Sequence, residues 1–201
     1  PDLDRLPDEI SERLAVVWIT QPHVPTGRMA AAEDLVRLAG QVRDRGALLC
    51  SDEAYSELWM DHAPQTALVA GSEDVLVFQS LSKRAAMTGY RVGFVSGDER
   101  AVAAFRQVKT NIDSGTPWFV EDAAIAALAD EEAPAAARSR YAERAELLVG
   151  ALRGIGCTVD MPSAGFYLWA RTPRDVAGVE FAQRLLAESP ALAVMPGEWL
   201  T

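Results

Sequence analysis

The chain has 201 residues, 49% of them hydrophobic and 24% charged, a composition that suits a globular domain long enough to bury a core. Its formal charge is −10, from 29 acidic against 19 basic residues, which argues against nucleic acid or an anionic membrane surface as a partner but leaves room for a local basic pocket. It has no apolar run of about 18 residues of the kind that spans a bilayer, and Cys50 and Cys157 lie outside any metal-type spacing, so they read as reduced thiols of a cytoplasmic protein.

Residues 1–13 are polar, with Leu3, Leu6 and Ile10 at helical spacing, and suit a short helix or turn. Leu14 to Ile19 is a short apolar run that suits a strand buried on both faces. Pro22, Pro25 and Gly27 punctuate the loop that follows. From Ala30 to Arg45 the pattern is helical, with Leu35, Leu38, Ala39 and Val42 on one face and Gly46 as its C-terminal glycine. Ala47 to Cys50, Val75 to Gln79 and Arg91 to Ser96 are three more short strands, and the polar segment Ser51 to Glu57 opens a loop after the first of them. Helices are expected over 98–111, 117–130 and 135–152, strand-like runs at Thr158-Val159 and Phe166 to Ala170, and a last helix over 179–188.

Strand–helix–strand alternation over residues 14–97 argues for an α/β fold with a mainly parallel sheet flanked by helices. The change of composition near residues 153–157 divides the chain into a large unit, 1–153, and part of a smaller α+β unit, 154–201. Parallel sheets bind ligands beyond the carboxyl ends of their strands. The loops that start at Thr20, Ser51 and Ser80 all follow strands, so they should open on one edge and gather their polar residues there.

Lys83 is the residue at that edge with the most chemistry to offer. A lysine acts as nucleophile or base only without its proton, and desolvation and neighbouring positive charge favour that loss. Arg84 and Arg91 are the nearby charges. Ser80, Ser82 and Arg91 are hydroxyl and guanidinium donors suited to a phosphate dianion. With Lys83 they suit a phosphorylated aldehyde that forms an imine with the lysine. Asp52 either holds a proton on a heterocyclic nitrogen or caps a helix that starts near Glu53. Tyr55 either donates to a phenolate oxygen or packs in the core. His23 and His62 have no second ligand at metal spacing, so no metal site is expected.

Pro25-Thr26-Gly27, Ser51-Asp52-Glu53-Ala54-Tyr55, Ser80-Leu81-Ser82-Lys83 and Gly89-Tyr90-Arg91-Val92-Gly93, in this order, resemble the class I/II aminotransferases, fold type I enzymes that use pyridoxal 5′-phosphate. Gly165 to Trp169 and Met195-Pro196-Gly197 resemble that family's small domain, and Ser56 to Trp59 is similar to its succinyldiaminopimelate transaminase-like members. The resemblance implies that Lys83 holds the cofactor and moves the substrate proton, that Asp52 pairs with the pyridine nitrogen and that Tyr55 bonds the phenolic oxygen. It also implies that Ser80, Ser82 and Arg91 hold the phosphate. Substrates would be an amino acid and a 2-oxo acid, and the assembly a homodimer.

Three departures stand beside the resemblance. Val24 occupies the position of the family's asparagine, which shares the phenolic oxygen with the tyrosine; its loss would cost roughly 1.5–3 kcal/mol of cofactor stabilisation. The family's N-terminal part, with its phosphate loop and ring-stacking aromatic, is not represented, and neither is the segment with its substrate-carboxylate arginine. The chain therefore reads as a fragment of a longer aminotransferase. A lyase of the same fold and a truncated, inactive relative are the alternatives.

Overall fold

The structure is a computed structural model that describes residues 1–174 and 176–200. A short helix, α1 (Asp8–Ser11), precedes β1 (Val16–Thr20); α2 (Ala32–Arg43) leads to β2 (Leu48–Asp52), β3 (Val75–Ser80), the single turn α3 (Leu81–Arg84) and β4 (Gly93–Gly97). The strands lie side by side in chain order. β1, β2 and β3 run parallel, with Thr20 beside Asp52 and Asp52 beside Phe78; β4 returns antiparallel, with Gly93 beside Ser80.

One face of this sheet carries the core. Leu38, Ala39 and Val42 of α2 pack on Val17, Leu49, Val75 and Val77, the face expected from their spacing, and Leu3 and Ala67 close its margins. Burying each such aliphatic side chain stabilises the fold by about 1.5–3 kcal/mol. The other face is more open. Trp18, Phe78 and Phe105 meet edge to face, while Val16 is half exposed.

The rest of the chain is largely helical: α4 (Glu99–Ile112), α5 (Trp118–Ala129), α6 (Glu132–Gly154) and α7 (Gly178–Ala187), with β5 (Thr158–Val159) and β6 (Ala170–Arg171) paired antiparallel. Asp98 caps α4 through the amide of Ala101 at 2.9 Å. α6 starts earlier than its apolar pattern suggests, because Pro134 falls in its first turn, where a missing N–H costs nothing. Among the described residues no helix is long and apolar enough to cross a membrane.

Several expected boundaries shift. β1 and β2 each extend to the polar residue beyond their apolar runs, Thr20 and Asp52, because ladder bonding continues past the hydrophobic stretch. No helix starts at Glu53; Asp52 instead accepts from the amide of Ala54 at 3.0 Å in a tight turn. Phe166 to Trp169 is not strand, since only Ala170–Arg171 finds a partner. That segment is pinned elsewhere. The amide of Ala164 donates to Gly27 O at 3.1 Å, and Met60 N donates to Ser163 O at 2.9 Å. A Cβ on Gly27 would lie 2.5 Å from Ala164 O and 2.7 Å from Pro162 Cβ, and Gly27 has φ +69°, so only glycine admits this approach.

Candidate active site

The strand-end loops open on one edge, as their order predicts. A cavity of about 1250 Å³ there is lined by Thr20, Asp52, Ala54, Phe78 and Ser80, with Trp18 on its wall. Asp52 is exposed and held by its own turn, so its free carboxylate oxygen faces outward rather than into a paired core.

Lys83 sits on α3, half-buried against aromatic rings. Its Nζ lies 5.6 Å from the ring centre of Tyr55 and 5.3 Å from that of Phe166. Both contacts are cation–π contacts, which guide the ammonium group without a salt bridge. Phe166 in turn stacks on Tyr141 of α6 at 5.4 Å and meets Tyr55 edge-on at 5.3 Å. The Gly165–Trp169 segment, far away in sequence, thus completes the surroundings of the lysine; in the sequence only its family likeness marks it.

Tyr55 comes to Lys83 and also to Tyr167, whose hydroxyl is 3.5 Å from its own. Burial first, then the Tyr167 hydroxyl and its charge, raise the Tyr55 pKa well above the ordinary phenol value. Tyr55 therefore remains a neutral O–H donor through the physiological range. Val24 lies in the opposing loop, where its amide donates to Thr20 Oγ1 at 3.3 Å and its side chain has nothing to donate.

Ser80 caps α3, its Oγ accepting from the amide of Ser82 at 3.2 Å. Its own O–H is left to donate towards the cavity. Ser82 is buried, and its Oγ accepts from Arg91 Nη1 at 3.4 Å. Arg91 also donates to Thr88 O at 2.9 Å and stands in the left-handed region at φ 54°, outside β4. Ser80, Ser82 and Arg91 are thus joined in one chain of contacts around the α3 turn, with Arg91 exposed at its outer end.

Arg84 does not take the place expected for it beside Lys83. It points the other way, 8% exposed, with Nη1 3.0 Å from Glu57 and Nη2 2.8 Å from Glu131, and it donates to the carbonyls of Leu128 and Asp130. Glu57 is shared with Arg138, which stacks over Trp59 at 4.5 Å. Arg84 is therefore a bolt between α3 and the junction of α5 and α6. Its charge is already neutralised there by Glu57 and Glu131, on the side away from Lys83.

Glu53 is a group that no residue pattern singles out. Between Asp52 and Tyr55, it is 1% exposed. Burial pushes its carboxyl above the ordinary range, and bonds from Ala67, Thr66 and Ser51 pull the other way without cancelling the rise. The folded protein thus holds this proton more tightly than the unfolded chain. Its favourable contribution is whole below the ordinary glutamate value of about 4.3 and is lost as pH climbs through the raised one. Urea midpoints measured from pH 4 upward should therefore show Glu53→Gln gaining on the wild type as pH rises, then holding a constant lead. Parallel curves would refute the raised value.

The family model described as Aminotransferase class I and II matches residues 1–201. The chain is 37% identical over 201 residues to LL-diaminopimelate aminotransferase 2 of Nostoc sp., covering 98% of this chain and 51% of that protein. Against LL-diaminopimelate aminotransferase of Aquifex aeolicus it is 35% identical, covering 98% and 52%. Its structure resembles an aminotransferase from Neisseria meningitidis with a TM-score of 0.91 at 31% identity, over 100% of this chain and 52% of the other. A probable N-succinyldiaminopimelate aminotransferase of Thermus thermophilus gives 0.89 at 30% identity, over 98% and 54%. The chain spans about half the length of the curated relatives it matches. On the extent of the family match, the chain belongs to the aminotransferase class I and II family.

Proposed function

We propose that this chain carries the lysine-bearing half of a pyridoxal-phosphate-dependent aminotransferase that moves an amino group between an amino acid and a 2-oxo acid. The observation that carries the proposal is the joint placement of Lys83 against Tyr55 and of Asp52 and Ser80 on one cavity, at the carboxyl edge of the sheet. The donor set fits the cofactor. Ser80, Ser82 and Arg91 offer hydroxyl and guanidinium hydrogens to a phosphate, Asp52 offers a carboxylate to a ring nitrogen, and Tyr55 is a neutral donor for a phenolate oxygen. When bound, the cofactor supplies an electron sink for charge that develops at the substrate α-carbon. Lys83 supplies the amine that anchors it and the group that takes and returns the α-proton. Tyr55, Phe166 and Tyr141 exclude water around that amine.

The relatives' names favour a diaminopimelate-type amino donor. The buried, unpaired thiols of Cys50 and Cys157 suit a reducing compartment such as the cytoplasm. A homodimer suits α5, which is largely apolar yet leaves Trp118 85% and Phe119 70% exposed. The unit 1–153 would serve as the cofactor domain and 154–201 as part of the small one. With pyridoxal phosphate and a pair of substrates, the intact protein should form one new amino acid for each 2-oxo acid consumed, without ammonia. Ammonia release in step with 2-oxo acid would assign it to the lyases instead.

A further inference from the structure

Beside the cavity lies a polar network, centred on a buried carboxyl, that none of the roles above uses. Its centre is Glu53. One carboxylate oxygen, Oε1, accepts from Ser51 Oγ at 3.1 Å, from Thr66 Oγ1 at 3.1 Å and from the amide of Ala67 at 2.8 Å. The other, Oε2, accepts from Gln79 Nε2 at 3.2 Å, and Gln79 Oε1 accepts from Ser56 Oγ at 3.1 Å. The segment around Thr66 has a second partner. Gln65 O accepts from Gln21 Nε2 at 3.1 Å, and Gln21, 2% exposed, also exchanges bonds with both the amide and the carbonyl of Ala30.

Each branch of this network ends beside a residue of the candidate site. Ser51 and Glu53 flank Asp52, Ser56 follows Tyr55, Gln79 precedes Ser80, and Gln21 follows Thr20 at the cavity wall. Three loops that meet at the sheet edge are thereby fixed in mutual position by one side chain. A carboxylate that takes four donors in a dry site fixes their spacing more firmly than ladder bonds alone, because each donor would otherwise be left unpaired.

We propose that Glu53 is the positioning residue of this site: its buried carboxyl sets the spacing between the Asp52–Tyr55 turn and the Ser80–Lys83 turn. The proposal rests on the cofactor reading above. The raised pKa of Glu53 agrees with a dry floor under the site, but the four bonds carry the argument.

The conservative variant separates positioning from bulk stability. Glu53→Gln keeps an acceptor for Ser51, Thr66 and Ala67, and a reversed Gln79 amide can still pair with it. Glu53→Ala leaves all four donors without a partner. Two measurements on the intact protein test the idea. In the cofactor-free state, hydrogen exchange in Glu53→Ala should quicken together at residues 52–57, 65–67 and 79–82, and Glu53→Gln should restore protection; quickening confined to residues 51–54 would overturn the network. With pyridoxal phosphate added, the pH midpoint of the cofactor's visible absorbance should move by about one unit in Glu53→Ala and return in Glu53→Gln. Its affinity should fall roughly tenfold. A variant that is merely less stable would melt earlier while its folded molecules kept the wild-type midpoint, and that result would overturn positioning while leaving the cofactor reading intact. If the wild type takes up no cofactor but the exchange pattern appears, the cofactor reading has failed, and the positioning role falls with it.

Discussion

Replacing Lys83 by alanine is expected to abolish covalent retention of pyridoxal phosphate and to lower transamination by at least about 10²–10⁴-fold, the range attached to a lost proton carrier. Within this chain the test has an internal control, because Lys83 is accompanied by one other lysine, Lys109. Lys109 lies on the outer part of α4 in an ion pair with Asp113 at 2.7 Å, one turn along the helix. Lys83 instead lies against the ring faces of Tyr55 and Phe166, with no ion pair among the described residues. Borohydride reduction of the cofactor-loaded intact protein should add the cofactor's mass to the peptide that contains Lys83, and to no peptide in Lys83→Ala. Lys109→Ala should behave as the wild type. Label on Lys109, or a visible cofactor band that survives in Lys83→Ala, would refute the assignment.

The largest expected loss of stability comes from Gly97→Ala. Gly97 pairs with Leu76 at the start of the β3–β4 ladder and holds φ +135°, a conformation that L side chains rarely adopt. A Cβ there would run into the carbonyl of Val75, which already accepts from the amide of Asp98 at 2.8 Å. Relief requires a shift of β3 itself, a core strand with Val75 and Val77 buried. Backbone strain and overpacking together should cost about 3–5 kcal/mol, or roughly 10 °C in Tm for a chain of this size. Gly89→Ala is the control, since open space surrounds its Cβ position. Equal melting of the two variants would show that β3 and β4 do not approach as described. Because Ser80 and Lys83 continue directly from β3, the surviving folded fraction of Gly97→Ala should also bind cofactor more weakly.

Much of the framework was legible in the residues. Leu35, Leu38, Ala39 and Val42 marked the buried face of α2, and all four are buried. The positions of Asp52, Tyr55, Ser80 and Lys83 after apolar runs indicated a shared edge, and the cavity there confirms the shared opening of the loops at Thr20, Asp52 and Ser80. What could not be read depends on partners distant in sequence. The run before Ser96 is as apolar as the other strands, and nothing in it encodes that β4 runs backwards. Arg84 beside Lys83 looked like a tuning charge because Glu131, its partner, lies far along the chain at the junction of α5 and α6. Glu53 fell within a polar segment read as a loop; three of its four donors, from Thr66, Ala67 and Gln79, come from other segments that meet it only in the folded chain. One clue was present, in that Gln21 and Gln79 are polar residues at the ends of otherwise apolar strands, where unpaired amides would be costly.

The antiparallel return of β4 also bears on the order of assembly. Ser80 and Gly93 are ladder neighbours, so residues 81–92 form a closed loop with both ends tied to the same pair of strands. Lys83, Ser82 and Arg91 all lie within it. Such a loop closes at little cost in chain entropy and depends on contacts of short sequence separation. Asp52 and Tyr55 must instead arrive through the longer parallel crossover between β2 and β3. Lys83, Ser82 and Arg91 therefore belong to a local hairpin that can form early, and the Asp52 carboxylate and Tyr55 phenol are delivered to it only when the parallel sheet closes.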